Sequence, residues 1–264
     1  MPLLTQGDPS PFELFNGEGR APIMLFCDHA SRFIPPSLRQ LGLSGDDLTR
    51  HIAWDIGAAD ITRHMALQLD APAVLCNYSR LIVDCNRLLR DPTLIPPRSD
   101  GSAIPGNVTL SEADRRARLE AIYVPYHRAI EDMAEAMRVR HGVAAVLSIH
   151  SCTDRMNGEF RPWEIDICWE GDDRIAAPVM AALRKLGTVT VGDNQPYGLV
   201  TGEDCSLPIH GMRRGWPHLL VEFRQDLIGT EVAAQKWADI LLVAIRPTLA
   251  RVDLFQARFY DQAG

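Results

Sequence analysis

The chain has 264 residues, 46% of them hydrophobic and 23% charged, with a formal net charge of -7 at pH 7. That length and apolar content suit one large α/β domain over residues 1–264 better than two ordinary ones, and the negative balance excludes a broad nucleic-acid footprint while leaving room for a local basic pocket that holds a small anion. The start, MPLLTQGDPSPFELFNGEG, has no basic leader followed by an apolar run, and no segment offers about 18 uncharged apolar residues, so no secretion signal or membrane span is expected and the location is read as cytoplasmic. Six cysteines (Cys27, Cys76, Cys85, Cys152, Cys168 and Cys205) form no CxxC pair and read as reduced, mostly buried thiols. Nothing in the pattern sets an oligomeric state.

Short apolar runs alternate with longer segments of helical period, the pattern of a sheet covered by helices. Strands are predicted at 22–27, 73–76, 81–85, 144–149, 165–169, 188–191 and 219–223, and helices around 46–69, 172–186 and 230–248. The clearest helix is expected to begin at Thr109, whose hydroxyl caps it while Glu112 reaches back, with Leu119, Ile122, Tyr126, Ile130, Met133 and Met137 on one face. Pro125 falls inside this pattern and predicts a kink. Residues 91–107, DPTLIPPRSDGSAIPGN, carry four prolines and two glycines and read as a loop, either a lid or a plain surface connection.

The chemistry-bearing residues fall at strand ends. The first predicted strand delivers His29 just beyond its end, and the fourth delivers His150 in the same way. One histidine is more often structural than a ligand, but two at matching ends of parallel strands share the face where α/β proteins place their sites. A catalytic zinc takes three protein ligands, and imidazoles with a carboxylate are a usual set. Asp55 in HIAWDIGAAD is the first choice for the carboxylate, with Asp28 and Asp60 as competitors. Glu222, near the end of an apolar strand, is either a proton-transferring group or one half of an ion pair with Arg224. YSRLIVDCNR brings Arg80, Asp84, Asn86 and Arg87 around an apolar stretch, a composition suited to gripping a carboxylate and otherwise merely solvated. The segment DNQPYG has turn chemistry. His127 and His210 read as structural.

CDHAS at 27–31, AWDIGA at 53–58, YSRLIVDCNR at 78–87, YHRAI at 126–130, SIHS at 148–151, DNQPYG at 193–198 and VEFRQDLIG at 221–229 together resemble the N-formylglutamate amidohydrolase family, a branch of the zinc carboxypeptidase-like and succinylglutamate desuccinylase-like hydrolases. The resemblance implies a three-layer α/β/α sandwich with a mixed central sheet, of the phosphorylase/zinc-peptidase type, and one Zn2+ per chain at the strand ends. It implies His29 and His150 as metal histidines, Asp55 as the carboxylate ligand, and Glu222 as the general base. Arg80 would sit near the developing oxyanion, Asn86 with Arg87 would hold the substrate's carboxylate, and Tyr197 would donate a hydrogen bond from the pocket wall. The implied reaction is hydrolysis of the amide of a small N-formyl- or N-acyl-amino acid. A carboxypeptidase-like peptidase and a non-catalytic carboxylate-binding protein are the alternatives. Asp28 and Ala30 flank His29 where relatives more often carry a proline-histidine-serine-glycine motif, which marks a divergent branch.

Overall fold

The computed structural model describes residues 2–156, 158–196, 198–199 and 204–260. The strands are β1 (Phe12–Phe15), β2 (Ile23–Cys27), β3 (Ala73–Cys76), β4 (Arg98–Ser99), β5 (Ser102–Ala103), β6 (Ala145–Cys152), β7 (Arg155–Met156), β8 (Glu159–Phe160), β9 (Ile165–Cys168), β10 (Val191–Asp193) and β11 (His218–Arg224). The α-helices are α1 (Ala58–Leu69), α2 (Pro105–Val108), α3 (Glu112–Arg118), α4 (Val124–His141), α5 (Ala176–Leu186), α6 (Ser206–His210) and α7 (Glu231–Leu249). Seven strands form one mixed sheet in the order β1-β3-β2-β6-β11-β9-β10. Strands β2, β3, β6 and β11 run parallel to one another, whereas β1 opposes β3 and β9 opposes β11.

The pleat of the sheet sorts its side chains into two cores. Ile23, Leu25 and Cys27 of β2 join Ile61 and Met65 of α1, Leu183 of α5 and Leu241 of α7 on one face. Met24 and Phe26 alternate onto the other face, where Tyr126, Ile130 and Met133 of α4 cover them. The result is the expected α/β/α arrangement. Along β6, Ser148 and His150 follow Val146 onto the α4 side, and Glu222 follows Leu220 of β11 onto the same side. The register sets Glu222 opposite His150 on one neighbour and opposite Asp166 on the other, so three polar side chains form a row across the sheet.

Several elements differ from expectation. Residues 81–85 form turns rather than a strand. Their apolar side chains are buried as a strand's would be, which is why their composition misleads. Their backbone groups are satisfied by other means: Asn107 Nδ2 donates to the Leu81 carbonyl at 2.8 Å, Arg118 Nη1 to that of Ile82 at 3.0 Å, and the Asp84 N–H bonds the Leu94 carbonyl at 2.8 Å. The helix expected over 46–69 begins only at Ala58, because Gly57 takes φ +79 and turns the chain after Asp55. The helix start expected at Thr109 moves to Ser111, whose hydroxyl accepts from the Asp114 N–H at 3.1 Å. Where a kink was expected at Pro125, the chain makes a π turn over Leu119–Tyr123, just before the proline, with the Val124 N–H reaching the Leu119 carbonyl, and continues as α4. The sixth strand is displaced to Val191–Asp193, and residues 91–107 hold the β4–β5 hairpin and the start of α2.

Gly57 is a tight backbone position beside the site. A Cβ there would lie 2.3 Å from the Ile228 carbonyl oxygen, in a conformation that L side chains rarely adopt. Gly57→Ala should therefore lower stability by about 2 kcal/mol or more in chemical denaturation. A change within the error of the measurement would show that this turn relaxes freely.

Candidate active site

Backbone contacts deliver the central residues. The Asp55 N–H donates to the His29 carbonyl at 2.9 Å, pinning the loop before α1 to the segment after β2. From β6, the Ser151 hydroxyl donates to the Ile56 carbonyl at 2.9 Å and its N–H to Asp55 Oδ2 at 3.3 Å. His29, Asp55 and His150 are all buried, and one ligand atom from each lies within 4.8 Å of the others. Asp55 Oδ2 stands 3.3 Å from His29 Nδ1 and 2.9 Å from His150 Nδ1. His150 lies inside β6 rather than beyond its end, two residues short of Cys152.

The far side of each imidazole meets a second carboxylate. His29 Nε2 is 2.7 Å from Asp84 Oδ1, and His150 Nε2 is 3.2 Å from Asp28 Oδ2 and 3.0 Å from Ser148 Oγ. Asp28 is itself held by Tyr126 Oη at 2.9 Å and Ser206 Oγ at 2.5 Å. Thus Asp28, a competitor for the ligand position, supports His150 from behind. Asp60, the other competitor, is turned toward Arg63 at 3.8 Å on the exposed side of α1.

This donor set fits a divalent cation. Two Nδ1 atoms converge on one carboxylate oxygen while carboxylates orient both Nε2 atoms, the usual environment of metal-ligating histidines. With neutral imidazoles, three carboxylates (Asp28, Asp55, Asp84) against one guanidinium (Arg80) leave two negative charges. Protons answer the same imbalance. Burial opposes charge on His150, but Asp28 and Asp55 outweigh it and raise its pKa well above the ordinary value; at His29, burial and Arg80 are outweighed by Asp84 and Asp55. Burial likewise pushes the Asp55 and Asp84 carboxyls up, yet His29 and His150 hold Asp55 far down, and Arg80 with His29 does so for Asp84.

Glu222 keeps part of its surface accessible and is raised to about 7, first by loss of solvation and then by Asp55 and Asp166. The expected alternative partner, Arg224, turns to Asp226 at 2.8 Å. A cavity of about 500 Å3 opens over the cluster, lined by Asp55, Arg80, Asp84, Arg87, Cys152 and Arg161 among others. Arg80 donates to Asp84 Oδ2 through Nη2 at 2.7 Å and Nε at 3.1 Å, and to Asp55 Oδ1 through Nη1 at 3.4 Å. Asn86 Nδ2 and Arg87 Nη1 converge on a carboxylate oxygen of Asp204, at 3.1 and 3.0 Å. Asn86 Oδ1 also accepts from the Cys205 and Ser206 N–H groups, both at 3.1 Å, so its amide anchors the start of α6. Tyr197 lies outside the described residues. His127 and His210 stack and meet at 3.0 Å behind Cys85. Sequence reasoning overlooked Arg161, which sits in FRPWEID without a motif around it; a basic residue just before an apolar strand was the only signal.

An α/β sandwich with a buried histidine–carboxylate cluster under a cavity lined by both arginines and aspartates has the plan of a hydrolytic enzyme. The family model for N-formylglutamate amidohydrolase matches residues 21–229, and the chain belongs to this amidohydrolase family. The crystal structure of a gene product from Agrobacterium tumefaciens is similar over 95% of this chain and 99% of that one, with 34% identity and a TM-score of 0.89. That of N-formylglutamate amidohydrolase from Ralstonia eutropha is similar in fold, with a TM-score of 0.62 and 20% identity over 91% of this chain and 97% of that one. A comparison with curated proteins finds no match. Among the described residues, no helix is long and apolar enough to cross a membrane.

The buried charges give the metal-free protein a pH signature. The depressed carboxyls of Asp28, Asp55 and Asp84 contribute stability above about pH 4 that is lost as pH falls. The raised imidazoles of His29 and His150 contribute stability that is full below about pH 6.5 and is lost as pH rises through their elevated values. The melting temperature of chelator-treated protein should accordingly fall above about pH 6.5, and zinc should flatten or reverse that slope, since ligands bind metal deprotonated. A metal-free melting temperature that climbs over this interval would contradict the charge assignment.

Proposed function

We propose that the chain is a zinc-dependent amidohydrolase that cleaves the amide of an N-formyl- or N-acyl-amino acid. The observation that carries this reading is the convergence of His29 Nδ1 and His150 Nδ1 on Asp55 Oδ2, with Glu222 opposite His150 in the sheet and an arginine-bearing cavity alongside. His29, Asp55 and His150 would hold one zinc ion. Bound there, zinc would supply Lewis acidity for the acyl oxygen and bring the pKa of a water toward neutrality.

The protein's own groups account for the rest. Glu222, with a pKa near 7, is suited to take a proton from the attacking water and return it to the departing nitrogen at neutral pH. The amide C–N bond breaks and leaves a carboxylic acid and a free amine. Arg80, fixed by Asp84 and Asp55, would offer positive charge to the developing oxyanion. Arg87 uses only Nη1 in its described contacts, so the Nε/Nη2 edge of its fork is available to the substrate's carboxylate. Asn86 would act with it, and Tyr197 would complete the wall. The reading treats residues 1–264 as one catalytic unit in the cytoplasm, and six free cysteines accord with a reducing compartment. The Ralstonia eutropha relative in name, and the family itself, support the acyl-amino-acid substrate class.

A hydrolysis screen over N-formyl, N-acetyl and N-succinyl amino acids tests the reading with zinc-loaded and chelated protein side by side. Zinc-dependent release of the free amine is expected for at least one series, and no release from any would refute it. His150→Ala should lose bound zinc as measured by elemental analysis, because it removes one of three ligands. Glu222→Gln should instead keep its zinc while turnover drops about 100-fold or more. Undiminished turnover at saturating substrate would make Glu222 structural.

A further inference from the structure

Asn86 and Arg87 already hold a carboxylate, and it belongs to the protein itself. Asn86 Nδ2 and Arg87 Nη1 donate to the same oxygen of Asp204, at 3.1 and 3.0 Å. Neither donor owes its place to that contact. The Asn86 N–H donates to Asp84 Oδ1 at 2.9 Å, and the Arg87 N–H to the Asp84 carbonyl at 3.2 Å. Tyr123 Oη donates to the Arg87 carbonyl at 3.1 Å, and Arg87 Nη1 also reaches the Asn86 carbonyl at 3.0 Å. Asn86 Oδ1 is fixed by the Cys205 and Ser206 N–H groups. Asp204 thus brings a negative charge to two donors that other contacts orient. Its side chain is 18% exposed and lines the cavity, so it can turn about its own side-chain bonds while the backbone after it stays anchored.

The proposed substrate needs the same donors. Arg87 has its Nε/Nη2 edge to offer, but Asn86 has only Nδ2 to donate, and that points at Asp204. A second carboxylate on one guanidinium also meets repulsion from the first. We propose that Asp204 is a tethered competitor of the substrate: its carboxylate occupies the place on Asn86 that the substrate's carboxylate takes, and it must leave before that contact forms, so Asp204 sets the affinity of the site for carboxylates. This rests on the amidohydrolase reading for the identity of the substrate. A residue that merely positioned Arg87 predicts the opposite sign, because its loss would loosen the clamp and weaken binding.

In hydrolysis of N-formyl-L-glutamate by zinc-loaded protein, Asp204→Ala should lower KM by about fivefold or more, since the substrate then gains charge-assisted contacts without exchanging them for an existing pair. The α-carboxamide of the same compound should gain less, having no anion to place on Asn86. Asp204→Asn keeps the shape and serves should the alanine variant not fold; it should move KM in the same direction. A raised or unchanged KM in a folded variant would overturn the proposal.

Acetate separates this inference from the reading it rests on. Its binding to zinc-loaded protein, followed by NMR at the Asn86 side-chain amide, needs no turnover. The dissociation constant should fall about fivefold or more in Asp204→Ala. Asp100→Asn removes an equal charge from the hairpin wall of the same cavity and should change it by no more than about twofold, because screening weakens an effect exerted at a distance. If wild type hydrolyses no N-acyl-amino acid while acetate behaves as expected, the function is wrong and the Asp204 contact stands. Unchanged or weaker acetate binding in Asp204→Ala, or equal tightening in Asp100→Asn, would sink the inference.

Discussion

Asp55 is the constraint on which the site depends. A single oxygen of its buried carboxylate faces Nδ1 of two histidines, while its backbone N–H holds the carbonyl of one of them. An isolated buried carboxylate would simply protonate. Here the two imidazoles and Arg80 keep it charged, and Asp28 and Asp84 in turn keep the imidazoles charged or ready for a cation. Each partner is stable in its state only because the others are in theirs, so the cluster acts as a unit rather than as six separate residues.

The surrounding loops are organised by buried polar side chains rather than by further strands. Arg118 Nη1 reaches the Ile82 carbonyl and Asn107 Oδ1, its Nη2 reaches the Gly106 carbonyl, and Asn107 in turn bonds the carbonyls of Leu81 and Pro96. This node ties the segment bearing Arg80, Asp84 and Arg87 to the segment forming the opposite stretch of cavity wall. Burial, only partly offset by Asp114, lowers the Arg118 pKa to about 10, still well above neutrality, so the node remains charged under ordinary conditions.

The sequence made the sheet and the convergence of His29, Asp55 and His150 legible, because a short apolar run followed by a histidine carries both strand and position in few residues. Glu222 was legible for the same reason. The crossing of the supports was not: Asp28 adjoins His29 in sequence but serves His150, while Asp84, from a distant motif, serves His29. That exchange depends on how loops fold over the strand ends, which no local spacing encodes. Residues 81–85 misled because burial and strand composition coincide there, although side chains rather than a neighbouring strand satisfy the backbone. Arg161 stayed hidden because its place is set by a hairpin and by Arg224, remote in the chain.

The reversal of strand sense between β11 and β9 has an evolutionary consequence. In a wholly parallel sheet, only the segments that leave the strands reach the reactive edge. Because β9 runs the other way, the segment that enters it, with the β7–β8 hairpin before it, arrives at that edge as well. The fold thus has two sources of wall around one centre. The parallel strands carry the groups whose positions must not change, while the entering segment can lengthen, shorten or exchange residues without disturbing their register. Changes in this stretch therefore alter the cavity wall while leaving the acid–histidine centre in place.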